Sequence, residues 1–128
     1  MDIYRNDLVK LFKNPHNFGT MKQADITIDD VNVNCGDQIK MQVKLDKAGK
    51  KITDIKFVCF GCLVCVTATS VLTDMVKGKT VEEAKKITMA DLQKALNIKI
   101  GPGKFNCINL GLNALVGGLK KYENGSKK

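Results

Sequence analysis

The feature that most constrains the fold is a change of hydrophobic period at Cys62. Before it, apolar residues recur at every second position. Ile39, Met41, Val43 and Leu45 alternate with Gln38, Lys40, Gln42 and Lys44, and Ile55, Phe57 and Cys59 alternate with Asp54, Lys56 and Val58. A period of two is the signature of a strand with one face turned to a core and one to water. Ile26 and Ile28 begin a third such run, and Asp46-Lys47-Ala48-Gly49 reads as a hairpin turn. After Cys62, Val64, Ala68, Val71, Leu72 and Met75 fall on one helical face that ends near Gly78.

The flanks are helical too. Tyr4, Leu8, Leu11 and Phe12 form a short amphipathic helix, broken by the turn formers Asn14-Pro15-His16-Asn17-Phe18-Gly19. Thr80-Val81-Glu82-Glu83 is a capping box, and Thr88-Met89-Ala90-Asp91 starts another helix. Gly101-Pro102-Gly103 reads as a loop, and Ile108, Leu112, Leu115, Val116 and Leu119 stripe a last helix. Strands in one block with helices around them predict an α+β fold: a three-stranded antiparallel sheet with helices packed mainly on one face. No repeat or linker divides the chain, so one domain over residues 1–122 is expected, with a disordered tail over 123–128.

The chain has 128 residues, enough for one domain with a real core. Five cysteines, an odd count, argue against a closed disulfide framework. Asp2 and Asp7 and the lack of a long apolar run lead us to expect neither a signal peptide nor an obvious transit peptide, and there is no stretch of about 18 apolar residues to span a membrane. Free thiols then point to a reducing compartment, the cytoplasm. The net charge of +8 invites a nucleic-acid reading, but the excess is spread along the chain. With no Trp and 5% aromatic residues, stacking platforms are scarce, and a solubilising, partner-facing surface fits better. Gly101 and Gly103 lack the Lys-Ser/Thr and helix of a phosphate loop.

The cysteines occupy particular places. Cys35 ends an extended segment before Gly36-Asp37, Cys62 sits at a strand-to-helix junction, and Cys107 precedes the last helix. Loops and helix starts favour thiolate, the form that binds soft metals and attacks sulfur. Two readings stand for these three: a metal or iron–sulfur site formed only on folding, or buried structural cysteines. Asp37 is either a harder ligand to the same metal or a turn residue. Cys59 shares the parity of Ile55 and Phe57 and so points into the core. Cys65 lies about 60° around a helix from Cys62, near the site without necessarily joining it. His16, in a Pro/Asn/Gly turn, reads as a turn residue.

These residues match a family. Asn14-Pro15-His16-Asn17-Phe18-Gly19, Cys35-Gly36-Asp37, Phe60-Gly61-Cys62, Val76-Lys77-Gly78-Lys79-Thr80-Val81-Glu82-Glu83-Ala84 and Cys107 before the final helix occur in order over nearly the whole chain. In this the chain resembles the IscU/NifU N-terminal type of iron–sulfur cluster assembly scaffold. The resemblance implies Cys35, Cys62 and Cys107 as cluster ligands, with Asp37 as an oxygen ligand or a residue that promotes release. It implies Cys107 as the acceptor of persulfide sulfur from a cysteine desulfurase, on a mobile loop. It further implies a transient [2Fe–2S] cluster passed to apo iron–sulfur proteins, with zinc able to occupy the same site. Cys65, Lys104 and Asn106 are accessory positions. Asn106 stands where the family often has His or Lys, which strengthens Asp37 as the fourth ligand. In the segment read by Hsp70 and J-protein chaperones, only Pro102 and Lys104 match the family pattern, so that partnership rests on a weak motif.

The expected function is therefore a carrier rather than an enzyme, because three thiolates and a carboxylate hold a cluster less firmly than four thiolates. The alternatives are a zinc-holding sulfur-acceptor protein and, on the Cys59-x-x-Cys62 spacing, a thiol–disulfide oxidoreductase.

Overall fold

The computed structural model describes residues 6–32, 37–61, 63–97 and 102–126, with side chains over 6–30, 38–61, 65–97 and 109–122. The elements are α1 (Asn6–Lys13), β1 (Ile26–Asn32), β2 (Asp37–Leu45), β3 (Ile52–Phe60), α2 (Leu63–Val76), α3 (Val81–Lys85), α4 (Met89–Leu96) and α5 (Pro102–Ser126). The strands form an antiparallel sheet in the order β1-β2-β3. The expected α+β architecture is what the chain adopts.

The alternation seen in the sequence sets which face is buried. Ile26 and Ile28, Ile39, Met41, Val43 and Leu45, and Ile52, Ile55, Phe57 and Cys59 all turn inward and are buried. Gln38, Lys40, Lys44 and Phe60 are exposed on the other face. Between Ile52 and Ile55 the phase slips, because Leu45 pairs with Ile52 while Lys44 pairs with Asp54. This irregularity leaves two residues, Thr53 and Asp54, between inward-facing neighbours and so keeps Ile52 in the core. The β2–β3 turn is closed by Asp46, whose backbone N–H donates to the Lys51 carbonyl (2.9 Å) and whose carboxylate accepts from the N–H of Lys50 (3.0 Å). Gly49 there has φ +71°, a left-handed conformation that a glycine adopts without strain.

Helix α2 is buried nearly all round, surrounded by protein on most of its faces. Cys65, Val66, Ala68, Leu72 and Val76 are buried, and so are Thr67, Thr69, Ser70 and Thr73. The Thr69 hydroxyl donates back to the Cys65 carbonyl (2.8 Å) and that of Thr73 to the Ser70 carbonyl (2.7 Å), so these polar atoms enter the core satisfied. Helices α3 and α4 both begin with a reciprocal cap. Thr80 accepts from the Glu83 N–H while Glu83 accepts from the Thr80 N–H, and Thr88 and Asp91 repeat the arrangement.

Helix α5 crosses β1 and α2 at very short range, and two glycines make that approach feasible. A Cβ on Gly111 would lie 2.6 Å from Thr69 Oγ1, and one on Gly118 would overlap the Ile28 side chain. The helix differs from expectation at both ends. Pro102 is its first residue, where a fixed φ and a missing N–H cost nothing, so a segment that reads as a loop is instead a helix start. At the other end the helix runs on to Ser126, so residues 123–126 are helical rather than tail, since extending a helix is far cheaper than nucleating one. Residues 127 and 128 lie outside the described residues. Among the described residues, no helix is long and apolar enough to cross a membrane.

Candidate functional site

The sequence places its ligand candidates at the connections between elements, and the register shows where those connections leave the sheet. Asn32 and Asp37 are paired across β1 and β2, and Gln38 faces Phe60 across β2 and β3. The segment 33–36, which carries Cys35, and the Gly61–Leu63 junction, which carries Cys62, therefore depart from the same end of the sheet. Asp37 is the first residue of β2 at that end. Cys35 and Cys62 themselves lie outside the described residues, as do the side chains of Asp37, Lys104, Asn106 and Cys107.

Helix α5 points the same way. Near its C-terminal end Tyr122 lies at the β2–β3 hairpin, its hydroxyl 3.5 Å from where a Cβ on Gly49 would stand. Gly118 then meets Ile28 in mid-strand, and Gly111 meets Thr69 in α2. Followed toward its N-terminus, the helix thus runs away from the hairpin. Cys107 precedes Gly111 by four residues, about 6 Å of helix rise. Cys107 is the sixth residue of α5, in its second turn, and not on a loop before the helix as expected. The reason is again Pro102, which starts the helix early.

The two remaining cysteines are resolved in full. Cys59 faces the core as its strand parity requires, and is 7% exposed. Cys65, in the first turn of α2, is completely buried. Their sulfurs lie 3.1 Å apart. Cys65 thus faces the inner surface of β3, and among the described residues its thiol is the one within reach of Cys59. The Cys59-x-x-Cys62 pairing drawn from spacing involves a residue outside the described set.

The Asn14–Gly19 turn is stitched to α2 and to the free edge of β3. The Phe57 N–H donates to the Asn17 carbonyl (3.0 Å) and the Gly19 N–H to the Phe57 carbonyl (2.8 Å), a single parallel bridge. Asn17 is left-handed at φ +58°, a conformation that Asn tolerates better than most residues. Its amide nitrogen donates to Thr73 Oγ1 (3.0 Å) and to Asp74 Oδ1 (3.0 Å). Its amide oxygen accepts from Lys77 Nζ (3.3 Å). The His16 backbone N–H donates to Ser70 Oγ (2.8 Å), and its ring Nδ1 contacts Asp74 Oδ2 at 2.7 Å. His16 is therefore a turn residue, as read. Ser70 and Asp74 as partners of His16, and Thr73 as a partner of Asn17, were invisible, because polar residues on a helix read as a solvated stripe. Phe18 packs edge-on against Phe57, ring centres 5.4 Å apart. This turn, which follows α1, ties β3 and α2 to one another.

Comparison with known proteins agrees with this architecture. The model of the NifU-like N-terminal domain family matches residues 3–128. The iron–sulfur cluster assembly enzyme IscU of Drosophila melanogaster is 36% identical over 124 residues, covering 94% of this chain and 79% of that protein. The iron–sulfur cluster assembly scaffold protein IscU of Aquifex aeolicus is 34% identical over 119 residues, covering 93% and 75%. Among solved structures, a scaffold protein of the SUF system from Fervidobacterium islandicum superposes with a TM-score of 0.74 over 91% of this chain and 96% of that one. At 23% identity that likeness speaks for the fold alone. From the ordered motifs, the three-stranded sheet and the match over almost its entire length, the chain belongs to the NifU-like N-terminal domain family, together with the IscU proteins.

Proposed function

We propose that this protein is a scaffold on which an iron–sulfur cluster is assembled as transient cargo and from which it passes to apo iron–sulfur proteins. The observation that carries the reading is the shared end of the sheet. Asn32, Asp37 and Phe60 lie together there, and the chain segments bearing Cys35 and Cys62 leave from them. The ligands are Cys35, Cys62 and Cys107, with Asp37 as the oxygen ligand. The cargo is a [2Fe–2S] cluster, and zinc competes for the same thiolates. Cys107 receives sulfane sulfur from a cysteine desulfurase, and the work is done in the cytoplasm.

A scaffold differs from an electron carrier in how firmly it holds its cluster. Thiolates are soft donors matched to cluster iron, whereas a carboxylate is harder and exchanges more readily. One oxygen among three sulfurs is thus where an incoming acceptor thiolate would begin to displace the cargo. Such a protein binds and hands over, and needs no catalytic constellation of its own.

Anaerobic reconstitution with ferrous iron and inorganic sulfide tests the reading, followed by visible absorption and metal analysis. The expected result is a sulfur-to-iron charge-transfer spectrum with two irons per site, lost in Cys35→Ser, Cys62→Ser and Cys107→Ser. A protein that keeps stoichiometric zinc and develops no such spectrum would instead be a sulfur acceptor that matures no cluster.

A further inference from the structure

Cys59 and Cys65 take no part in the ligand set above, yet their sulfurs are in direct contact. Cys59 ends the inward face of β3, one residue before Phe60, which is 71% exposed. Cys65 lies behind it in the first turn of α2, without solvent contact. The 3.1 Å between their sulfurs is within the range at which oriented atoms react, about 3–3.5 Å. Packing alone explains two small buried side chains but gives no reason for both to carry a thiol and for the thiols to meet. In sequence the pair brackets Cys62, three residues to either side.

We propose that Cys59 and Cys65 are a built-in two-electron donor that reduces sulfane sulfur delivered to this protein to sulfide. The inference rests on the scaffold reading, because a cluster needs sulfur as sulfide while a persulfide carries it two electrons more oxidised. Cys59, the member that keeps some exposure, attacks the outer sulfur of a cysteine persulfide, R–S–SH. The persulfide S–S bond breaks, R–S⁻ leaves and takes up the Cys59 proton, and Cys59 becomes Cys59–S–SH. Cys65 then attacks Cys59 Sγ. A Cys59–Cys65 disulfide forms, the terminal sulfur departs as HS⁻, and it takes up the Cys65 proton. In sum, one persulfide and two thiols give one thiol, one hydrogen sulfide and one disulfide. The terminal sulfur gains the two electrons that the two cysteines lose. A dithiol reductant must reopen the disulfide before the next round, through ordinary thiol–disulfide exchange.

The division of labour follows from burial. The acceptor has to be reached by a persulfide, and Cys59 is the more accessible of the two. The resolving thiol has to outrun solvent and other thiols, and Cys65, itself without solvent contact, is already beside its target.

The test uses the full chain, fully reduced, freed of reductant and kept anaerobic, with glutathione persulfide as the sulfur source. The expected result is one sulfide per chain, accompanied by a Cys59–Cys65 disulfide in peptide maps after alkylation. Cys59→Ser should lower sulfide release about tenfold or more, with Cys59→Ala as the variant that avoids a buried hydroxyl. Cys65→Ala should stall with the extra sulfur retained on Cys59. Equal release from wild type and variants, or a disulfide mapping to other cysteines, would overturn the proposal. Reconstitution from ferrous iron and inorganic sulfide separates this from a failure of the scaffold reading. Cys59→Ala should form cluster as wild type does from sulfide, while only wild type forms it from glutathione persulfide without added reductant. If wild type forms cluster from sulfide but not from persulfide, the dithiol role alone falls.

Discussion

At the scale of single residues, function and fold make different demands on neighbouring positions. In the proposed ligand set, Asp37 is the position where the shell departs from pure thiolate. Asp37→Ala is expected to lengthen the life of the reconstituted cluster and slow its transfer to an acceptor apo-protein, followed by the decay of the cluster absorption. A cluster lost faster in the variant would remove Asp37 from the release step. Asn17, by contrast, is structural. Asn17→Ala gives up hydrogen bonds to Thr73 and Asp74 and forces a Cβ-bearing residue without a compensating amide into φ +58°. It should cost about 2 kcal/mol in urea unfolding, with Asn17→Gly costing less because only the side-chain part is lost. The inward turn of Cys59 was readable from strand parity alone. Its meeting with Cys65 was not, because the rotation between a strand and the helix after it is fixed by the junction and by packing, not by either period. Cys35 and Cys62 stand on such junctions, which is why motif and order, rather than periodicity, singled them out.

At the scale of elements, local rules read most of the structure. All three strands, both capped helices and the β2–β3 turn fall where alternation, capping residues and turn formers put them. Gly101-Pro102-Gly103 reads as a loop because the proline stands between glycines, yet proline is favoured at the first position of a helix. The slip that inserts Thr53 and Asp54 between Ile52 and Ile55 breaks the alternation for a tertiary reason, the need to keep Ile52 inward. Two adjacent glycines of α5 offer a direct check on its packing. A Cβ on Gly117 meets nothing within 4 Å, whereas one on Gly118 overlaps Ile28. Gly117→Ala should therefore stabilise the protein by about 0.5–1 kcal/mol through helix propensity. Gly118→Ala should destabilise it by about 1–3 kcal/mol through overpacking, less whatever propensity returns. Opposite shifts in the thermal midpoint would verify both. The caps are also separable: Thr80→Ala and Thr88→Ala should each cost about 1 kcal/mol.

At the scale of the whole molecule, the response to acid follows from carboxylates held in turns and caps. Backbone N–H groups of Lys50 and then Lys51 hold Asp46 below the usual carboxylate range. The backbone and then the hydroxyl of Thr80 lower Glu83, and those of Thr88 lower Asp91. A group titrating lower in the folded than in the unfolded protein adds stability above its unfolded value, and that stability is lost as pH falls through the folded one. All three act in the same direction. The urea midpoint should thus hold from neutral pH down to about pH 5 and decline steadily below about pH 4. Because the chain already carries +8, each proton taken up also adds to its self-repulsion. Asp46→Asn, Glu83→Gln and Asp91→Asn combined should flatten the acid limb and lower the neutral plateau.

The bridge between Phe18 and Phe57 has a further meaning once the sheet is seen as something that can grow. A strand edge with open N–H and C=O groups invites a strand from another molecule. Along β3 that invitation is withdrawn twice, by the Asn17–Gly19 segment against Phe57 and by Gly78, Lys79 and Val81, which bond to Ile52 and Lys50. Along β1 the outer strand bears Asp29 and Asp30, both exposed, a charged pair that repels a copy of itself. Both outer strands are thereby discouraged from pairing edge to edge with those of a second copy.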